Sequence, residues 1–366
     1  MKICHVTSSH SRYDGRIFQK ECSSLAKKYD VTLICSDKNQ DEIKNNVKIK
    51  SVGIDNKSKK NRFLLIPMKL RKKCLVEDAD IYHFHDPELL SLASYMKRKN
   101  KVVIFDSHED NLNRISNRTW IPNFLKPLAK KFYQKKEKKV LERVDDIITV
   151  TEHIYDRLVR INHNTHIITN FPILKNINIE KKDNSDNIIC FAGGVEKKYM
   201  HHNIIKALDN LNVQYIVAGP CSNNYYDELK KISGFNKVKF LGQISREECN
   251  KLYLKSNIGM VLIDYVPNIN FKKGSMGITK IFEYMEYGLP VIATDLEVWK
   301  EIVPNKCGIC VNPYNIEEIH DAIKFLVDNP DKAKEMGRVG QRLVKEKYNW
   351  NSQEKILLDL YKKYDK

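Results

Sequence analysis

The chain of 366 residues lacks several features that would assign it to a special class of protein. No apolar run approaches the roughly 18 to 20 residues that a membrane-spanning helix needs. The start MKICHVTSS lacks the charged, apolar and small-residue regions of a signal peptide, so we expect a cytoplasmic location. The nine cysteines show no paired framework, which argues against structural disulfides. Cys307 and Cys310 have the spacing of half a zinc site, but no second pair completes it, and we interpret both as strand residues.

Acidic residues are scarce relative to basic ones, and the imbalance is local. The formal net charge is +17, and the chain through Asn170 holds 34 lysine and arginine residues against 21 acidic ones. In 57–73 and 120–144 the bases alternate with apolar residues, which is typical of a basic amphipathic helix on an anionic membrane surface. Solvated lysine faces are the open alternative. Nucleic acid is a rival partner, but no recognition motif accompanies the charge, so we predict no nucleic-acid binding.

Short apolar, β-branched runs alternate with helical patterns through both halves of the chain. This alternation predicts an α/β protein with two doubly wound, mostly parallel sheets. A polar, aperiodic run near the middle is typical of a linker. We therefore predict a first domain at 1–172, a linker at 173–187, a second domain at 188–347 and a C-terminal helical segment at 348–366. Such sheets bind ligands at the carboxyl ends of their strands.

Polar side chains stand at the ends of two predicted strands in the first half. In YHFHDPELL, strand alternation puts His83 and His85 on one face, and His85 and Asp86 then lie at the strand mouth. His108 ends the following strand, in IFDSHED, in the same way. Because these strands are neighbours in the predicted sheet, we expect one polar site. The alternatives are a satisfied core histidine at His83 and a helix-capping role for Asp86.

Two loops after predicted strands could present backbone N–H groups to a phosphate. The loop SSHSRYDGRIF follows the first strand and carries a single glycine, so a full GxGxxG motif is missing. In FAGGVEKKYMHHN, Gly193 and Gly194 precede Lys197 and Lys198, which would add positive charge beside a diphosphate. Exposed lysines without a binding role are the alternative for these two positions.

The run TKIFEYMEYGLPVIATD, 279–295, is typical of a helix followed by a buried strand. Lys280 and Glu283 are three residues apart, hence on neighbouring points of the helix surface near its N-terminus, where an anion is favoured. The carboxylate could accept hydrogen bonds from a ribose diol while the ammonium meets phosphate. An ordinary intrahelical Lys/Glu pair fits the same spacing.

Taken together, these motifs resemble glycosyltransferase family 4, retaining enzymes of the GT-B fold that use nucleotide-sugar donors. The similarity is densest in TKIFEYMEYGLPVIATD, VWKEIV and GICVNP, which stand in the family's order. In the first half, YDGRIFQKECSSLAKKYDVTLI, DIYHFHDPELL and KVVIFDSHED are also similar, particularly to enzymes that build bacterial capsule or O-antigen. The resemblance implies two Rossmann-like domains that face each other across a cleft, with the C-terminal helix packing back on the first domain.

The resemblance also implies roles for individual residues. Glu283 matches the glutamate that binds the donor's ribose hydroxyls, whereas Ser275 stands where the family has a first glutamate. His108 matches the histidine that faces the reacting sugar, and it is the catalytic candidate. The remaining residues implied to bind the donor are Gly15, Gly193, Gly194, Lys197, Lys198, Gly242, Ile244 and Lys280. Those implied to line the acceptor or active site are Asp14, Arg16, His85, Asp86 and Ser275.

The activity implied by the resemblance is transfer of a sugar, with retention, from a nucleotide diphosphate sugar, most simply UDP-linked, to a hydroxyl of a growing cell-surface glycan. It implies no metal and no cofactor besides the donor, so Asp78-Ala79-Asp80 is not interpreted as a metal motif. The basic stretches then favour a polyprenyl-diphosphate-linked acceptor at the inner face of the cytoplasmic membrane. A GT-B sugar-nucleotide epimerase and a non-catalytic nucleotide-binding relative are the open alternatives.

Overall fold

The computed structural model describes residues 1–58, 61–108, 112, 115, 121–175, 186–304 and 306–365. The chain divides into two compact units. Unit 1 comprises Met1–Asn170 and Trp350–Lys366, and unit 2 comprises Phe171–Asn349. Residues 176–185, which make up much of the predicted linker, lie outside the described residues. Across the described ranges, no helix is long and apolar enough to cross a bilayer.

The sheet of unit 1 has eight strands. They are β1 (Lys2–Val6), β2 (Asp30–Cys35), β3 (Glu42–Lys44), β4 (Val47–Ser51), β5 (Ile81–Phe84), β6 (Val102–Ser107), β7 (Asp146–Thr149) and β8 (Thr165–Ile167). Their order across the sheet is β3-β4-β2-β1-β5-β6-β7-β8. All neighbours are parallel except β3 and β4. The carboxyl ends of β1, β5 and β6 therefore lie side by side at one edge of the sheet.

The sheet of unit 2 has six strands, all parallel to their neighbours. They are β9 (Ile188–Ala192), β10 (Gln214–Ala218), β11 (Val238–Gly242), β12 (Ile258–Val261), β13 (Val291–Thr294) and β14 (Gly308–Val311). The order is β11-β10-β9-β12-β13-β14. Its central strands β12 and β13 are buried throughout, as expected for a parallel sheet covered on both faces. The predicted pair of α/β sheets is confirmed.

Helices connect most of these strands. They are α1 (Ser23–Leu25), α2 (Ile66–Glu77), α3 (Leu90–Arg98), α4 (Lys126–Leu141), α5 (Glu152–Leu158), α6 (His201–Lys206), α7 (Asn223–Lys230), α8 (Arg246–Lys255), α9 (Lys280–Glu286), α10 (Glu297–Lys300), α11 (Ile316–Asp328), α12 (Pro330–Glu346) and α13 (Trp350–Lys362). A π-helical segment, Ile17–Cys22, leads into α1, and another, Asn61–Leu65, leads into α2.

The short strand β3 escaped the sequence prediction. It forms a hairpin with β4 through Asn45 and Asn46, whose φ angles of 52° and 59° lie in the left-handed region. A two-residue hairpin turn of the favoured type needs positive φ at both positions, and asparagine tolerates it well. The Asn-Asn pair was the local signal, because three residues with one apolar side chain show no usable alternation.

The C-terminal helix α13 packs on the first sheet's domain, as predicted. Trp350, Leu357 and Tyr361 are buried in the same core cluster as Ile3 and Leu33. The indole Nε1 of Trp350 also donates a hydrogen bond of 2.9 Å to the Ser24 hydroxyl. The last segment of the chain is therefore an integral part of unit 1.

Gly337 on α12 offers a test of the packing in unit 2. A Cβ at this position would lie 1.9 Å from the carbonyl oxygen of Gly288. In an unpacked helix Gly→Ala stabilises by up to about 1 kcal/mol. Here we expect Gly337→Ala to destabilise unit 2 by roughly 1–3 kcal/mol in urea unfolding, because backbone must move. Glu335→Ala, at an exposed site on the same helix, is the matched control and should change stability by less than about 0.5 kcal/mol. Equal effects of the two variants would contradict the packing described.

Candidate donor and histidine sites

Lys280 lies directly against the glycine loop that follows β9. A Cβ at Gly193 would be 2.2 Å from Lys280 Cε, so the lysine stem occupies the space that the missing side chain leaves. The ammonium stands over the ring of Tyr199, 4.8 Å from its centroid, and 3.5 Å from its hydroxyl. Among the residues that the structure describes, no carboxylate approaches Lys280 within ion-pair distance. Two residues predicted to bind the donor are thus brought together, and the lysine charge is uncompensated there.

Glu283, on the same helix, has partners of its own. Its Oε2 accepts a hydrogen bond of 2.9 Å from Arg246 Nη1 and one of 3.1 Å from the Tyr253 hydroxyl. Both partners come from α8, whose first turn is fixed by a capping box between Ser245 and Glu248. Burial lowers the pKa of Arg246, but the Glu283 carboxylate outweighs it and raises that pKa overall. The glutamate is therefore held across two helices and does not form the ordinary pair with Lys280.

The two lysines of the loop after β9 differ from Lys280. Lys197 forms an ion pair of 2.7 Å with Glu228, and Lys198 forms one of 2.9 Å with Glu196. The Lys197 side chain is 68% exposed. Gly194 would place a Cβ 3.1 Å from the Glu196 carboxylate. Because both lysines already have a carboxylate partner, the geometry favours Lys280 over them as a phosphate contact.

The other positions predicted in unit 2 have contacts within the fold. Gly242 ends β11 with φ of +66°, and its carbonyl accepts a 2.7 Å hydrogen bond from the Gly219 N–H. Ile244 is half-buried and packs against the core. Ser275 is 3% exposed, and its hydroxyl accepts a 3.1 Å bond from the Gly277 N–H. Ser275 thus supports the loop before α9, where the family would place a carboxylate.

In unit 1, Asp86 ties the end of β5 to the loop after β1. Its Oδ2 accepts bonds of 2.7 Å from the Thr7 hydroxyl and 2.6 Å from the Ser8 N–H, and Oδ1 accepts from the Ser9 hydroxyl. Burial alone would raise the pKa of Asp86, but the charge of His10 and these hydrogen bonds lower it. Asp86 is therefore an ionised anchor of the loop rather than a helix cap.

Three predicted residues of the first loop have different environments. Asp14 Oδ1 accepts hydrogen bonds from the N–H groups of Arg16 (2.8 Å) and Ile17 (2.9 Å), so it caps the π-helical segment. A Cβ at Gly15 would meet nothing within 4 Å. Arg16 is 5% exposed, and it pairs with Asp106 and Glu21 and donates to the Ile168 carbonyl. Gly15 is thus the open position of the loop, whereas Arg16 is an interior cation.

His85 and His108 meet at the ends of β5 and β6, as predicted. His85 Nδ1 lies 3.1 Å from His108 Nε2, and that Nε2 lies 2.9 Å from Asp106 Oδ2. Arg16 contacts the same carboxylate oxygen at 3.0 Å. Burial alone would raise the pKa of Asp106, but the Arg16 charge and His108 hold it well below its usual range. The carboxylate is therefore ionised and shared between a guanidinium and an imidazole.

Behind this pair lies a buried group that sequence reasoning missed. His5, on β1, lies with its Nδ1 2.9 Å from His85 Nε2, and the two rings are stacked. Glu21, fully buried, has a pKa raised well above its usual range by burial, against the charge of Arg16. Burial likewise lowers the pKa of His5 and His83 well below the usual value and that of His85 to about 4. The imidazoles are therefore neutral at neutral pH.

The missed residues carried weak local signals. His5, Asp106 and Glu21 stand inside apolar patterns. They come together because of the order of the strands in the sheet, and that order cannot be derived from the local sequence. Arg246 and Tyr253 have the appearance of ordinary residues of a charged helix.

Two groups of side chains in unit 1 could hold a metal ion, because their ligand atoms lie within 4.8 Å of one another. They are His5, Glu21, His83 and His85, and His85, Asp106 and His108.

Two family models match the chain. The model described as Glycosyltransferase Family 4 matches residues 15–171, and that described as Glycosyl transferases group 1 matches residues 173–343. Together they span both units, including the histidine site and the Lys280–Glu283 helix. The chain belongs to the family-4 glycosyltransferases of the GT-B fold. Comparison with curated protein sequences gives no match.

Solved structures similar to this glycosyltransferase cover nearly the whole chain. A sucrose-phosphate synthase from Thermosynechococcus elongatus has a TM-score of 0.73 at 15% identity, with 99% of this chain and 98% of that one covered. Anabaena HepE in complex with UDP and glucose has a TM-score of 0.73 at 13% identity, with 99% and 100% covered. WaaG, a glycosyltransferase involved in lipopolysaccharide biosynthesis, has a TM-score of 0.68 at 11% identity, with 98% and 99% covered. At these identities the similarity establishes the fold.

The neutral buried histidines make the enzyme sensitive to acid. Above pH 6.5 they are uncharged in both the folded and unfolded states, so their burial costs nothing electrostatically. As the pH falls from 6.5 toward 4, the unfolded chain binds protons that the folded chain refuses, and stability falls by up to about 1.4 kcal/mol per pH unit per histidine. Urea unfolding between pH 7.5 and 5 measures this slope.

Two variants separate this effect from general acid denaturation. His83→Gln should reduce the slope of stability against pH, because the unfolded chain then has one histidine fewer that binds a proton which the folded chain does not bind. This holds even if the variant is less stable at pH 7.5. His163→Gln, at an exposed histidine, should leave the slope unchanged. An unaltered slope in His83→Gln would refute the assignment.

Proposed function

We propose that this glycosyltransferase transfers a sugar, with retention, from a UDP-sugar to a hydroxyl of a cell-surface glycan. The acceptor proposed is linked to polyprenyl diphosphate at the inner face of the cytoplasmic membrane. The observation that carries the donor part is the pair of groups that α9 presents, an uncompensated ammonium at Lys280 and a fixed carboxylate at Glu283.

The state of Glu283 supports the ribose role. Both of its hydrogen bonds are made by Oε2, and within the described residues Oε1 has no hydrogen-bond partner. The side chain is 18% exposed, so this oxygen is available to a ligand hydroxyl. Arg246 and Tyr253 hold the carboxylate in place before the ligand arrives, which reduces the entropy lost on binding.

The surroundings of Lys280 support a diphosphate role. Its charge is held over Tyr199 and beside Gly193, and a glycine there allows backbone to approach a ligand closely. Departure of a nucleoside diphosphate develops negative charge, and a fixed ammonium stabilises that charge without a metal. In retaining transfer the departing phosphate oxygen can take the acceptor's proton, which requires no additional protein base.

The choice of UDP and of a surface glycan rests on similar proteins. HepE was crystallised with UDP-glucose, and WaaG acts in lipopolysaccharide biosynthesis. TarM, which covers a smaller part of this chain, was crystallised with UDP and a GlcNAc-glycerol. These are properties of those proteins, and they make UDP-sugars the first donors to test.

A donor screen tests the nucleotide assignment. UDP-, GDP-, ADP- and CMP-sugars are added to the purified enzyme, and the melting temperature is recorded, since a ligand that binds the folded state raises it. We expect the UDP series to give the largest shift. Glu283→Gln should weaken that ligand roughly 10- to 100-fold, because a hydrogen bond to a charged group is lost. Glu301→Gln, at an exposed glutamate, is the control and should bind as the parent does. Unchanged affinity in Glu283→Gln would refute the ribose role.

Product analysis separates the alternatives. Incubation of the bound UDP-sugar with a polyprenyl-diphosphate-linked sugar should release UDP and give an α- or β-linkage that matches the donor anomer. An epimerised nucleotide sugar without transfer would identify an epimerase. Tight donor binding without any turnover would identify a non-catalytic relative.

The membrane part of the proposal rests on the second basic stretch. In the first stretch the apolar side chains of Ile66 and Leu70 are buried in the core, so its pattern is partly ordinary packing. The helix α4 buries only its last positions, and the apolar residues near its start are exposed among lysines. The exposed apolar side chains are Phe124 (81%), Leu125 (40%), Leu128 (66%) and Phe132 (74%). Residues 59, 60 and 120 of the two stretches lie outside the described residues.

Leu128 and Phe132 are one helical turn apart on one face of α4, and Phe124 lies in the 3-10 turn, Asn123–Leu125, that leads into the helix. Lys126, Lys130, Lys131, Lys135 and Lys136 lie on the same helix. A helix with exposed aromatic rings and flanking lysines binds at an anionic bilayer surface in two ways: the rings bury apolar area in the interface, and the lysines attract the anionic headgroups. An exposed apolar patch of this kind is unusual for a surface that faces water alone.

Liposome sedimentation tests the surface. The enzyme should pellet with vesicles containing anionic lipid at low salt and be released by high salt. The double variant Phe124→Ser/Phe132→Ser should lose most of this binding. Ile43→Ser is the matched control, since Ile43 is 73% exposed in unit 1 but stands outside the patch. Failure of the parent enzyme to pellet, or equal loss in both variants, would refute the membrane surface.

A further inference from the structure

The buried imidazoles behind His108 form a continuous chain of hydrogen-bond contacts in unit 1. His108 Nε2 lies 3.1 Å from His85 Nδ1, and His85 Nε2 lies 2.9 Å from His5 Nδ1. His5 Nε2 then lies 3.5 Å from the Tyr361 hydroxyl, and that hydroxyl lies 2.8 Å from His83 Nδ1. The chain joins β6, β5, β1 and the C-terminal helix α13.

A chain of this kind has a direction, because a neutral imidazole carries one N–H and one lone pair. The direction is fixed at the Asp106 end. Arg16 keeps the Asp106 carboxylate ionised, and the carboxylate oxygen lies 2.9 Å from His108 Nε2. A lone pair facing that oxygen would be repelled, so the proton of His108 must be on Nε2.

Every later proton follows from the first one. His85 Nδ1 also approaches Asp106 Oδ2, but at 3.7 Å against 2.9 Å for His108 Nε2, so the carboxylate favours the proton on His108. His85 Nδ1 is then the acceptor, and His85 carries its proton on Nε2. His85 Nε2–H donates to His5 Nδ1, which puts the proton of His5 on Nε2, toward the Tyr361 oxygen. The Tyr361 proton is then donated to His83 Nδ1. Two opposite directions satisfy all four contacts, and the carboxylate beside His108 Nε2 selects the one in which each histidine is protonated on Nε2.

We propose that Asp106, His85, His5 and Tyr361 are positioning residues that orient the His108 ring, with the proton of its Nε2 toward Asp106 and its Nδ1 directed away from the buried chain. This inference rests on the proposed function for its consequence. Nδ1 of His108 is then the ring nitrogen that remains to contact a hydroxyl of the reacting sugar. The C-terminal helix thereby belongs to the active-site support through Tyr361.

A metal ion is the competing account of the same cluster. His5, His83, His85 and Glu21 have suitable ligand atoms, and both Glu21 oxygens lack a hydrogen-bond partner within the described residues. However, His5 Nδ1 and His85 Nε2 lie 2.9 Å apart, which is hydrogen-bond distance. Two nitrogen ligands of a tetrahedral zinc ion lie about 3.3 Å apart, and both must offer lone pairs. The contact between these nitrogens therefore favours a shared proton over a shared metal.

Nitrogen NMR of the histidine side chains tests the chain without any substrate. Long-range ¹H–¹⁵N spectra of protein labelled with ¹⁵N-histidine are recorded at pH 7.5. They distinguish an imidazole protonated on Nε2 from one protonated on Nδ1. Single His→Gln variants assign the signals. We expect His5, His83, His85 and His108 all to be protonated on Nε2. Protonation of His85 or His5 on Nδ1 would overturn the proposal, as would stoichiometric zinc bound at these residues in zinc-titrated protein.

Variants test where the direction is set. Tyr361→Phe should change the signals of His5 and His83, its two neighbours, and leave those of His85 and His108 as they are, because Asp106 sets the direction. Tyr364→Phe, just after α13, is the matched control, since its hydroxyl contacts Asp146 rather than the histidine chain. If the proton of His85 moved from Nε2 to Nδ1 in Tyr361→Phe, the tyrosine would be setting the direction of the chain, and the proposal would be overturned.

Turnover provides the functional readout. With the donor identified by the thermal-shift screen, His85→Gln should lower kcat by about tenfold or more with little change in KM for the donor, because the ring of His108 loses its support. An unchanged kcat would overturn the positioning role. If the NMR pattern holds but no donor is turned over, the proposed function fails while the directed chain stands.

Discussion

One constraint organises both units, namely that neighbouring parallel strands end at the same edge of the sheet. In unit 1 this edge receives Asp86 after β5 and His108 after β6, beside the loop that follows β1. In unit 2 it receives the Gly193 loop after β9. Residues far apart in the sequence therefore converge because strand order brings them together, and polar side chains collect at the two edges.

A second constraint is the burial of charge. The guanidinium of Arg16 is almost completely removed from water, which is costly unless carboxylates compensate it. Asp106 provides that compensation, and because it stays ionised it also orients His108. Glu21 shares the same cation, but burial favours its protonated form. The interior of unit 1 thus keeps few charges, and each one constrains a neighbour.

Much of the architecture followed from the sequence, because its signals are local. The alternation of apolar runs with helical patterns predicted both sheets, and the motif around Glu283 predicted the family. The hairpin strand β3 was missed since three residues carry almost no periodicity. For the candidate site, the meeting of His85 and His108 was predictable from neighbouring strand ends, whereas the partners of Glu283 were not, since Arg246 reaches it from another helix.

The sequence alone determined the fold class, the family and the helix that carries Lys280 and Glu283, since periodicity and motif spacing are properties of short segments. Tertiary structure decided which charges are compensated. It paired Lys197 and Lys198 with carboxylates, left Lys280 over an aromatic ring, and made Arg16 an interior cation. The physical reason is that Coulomb interactions and desolvation depend on distance and burial, and these are fixed only when distant segments pack together.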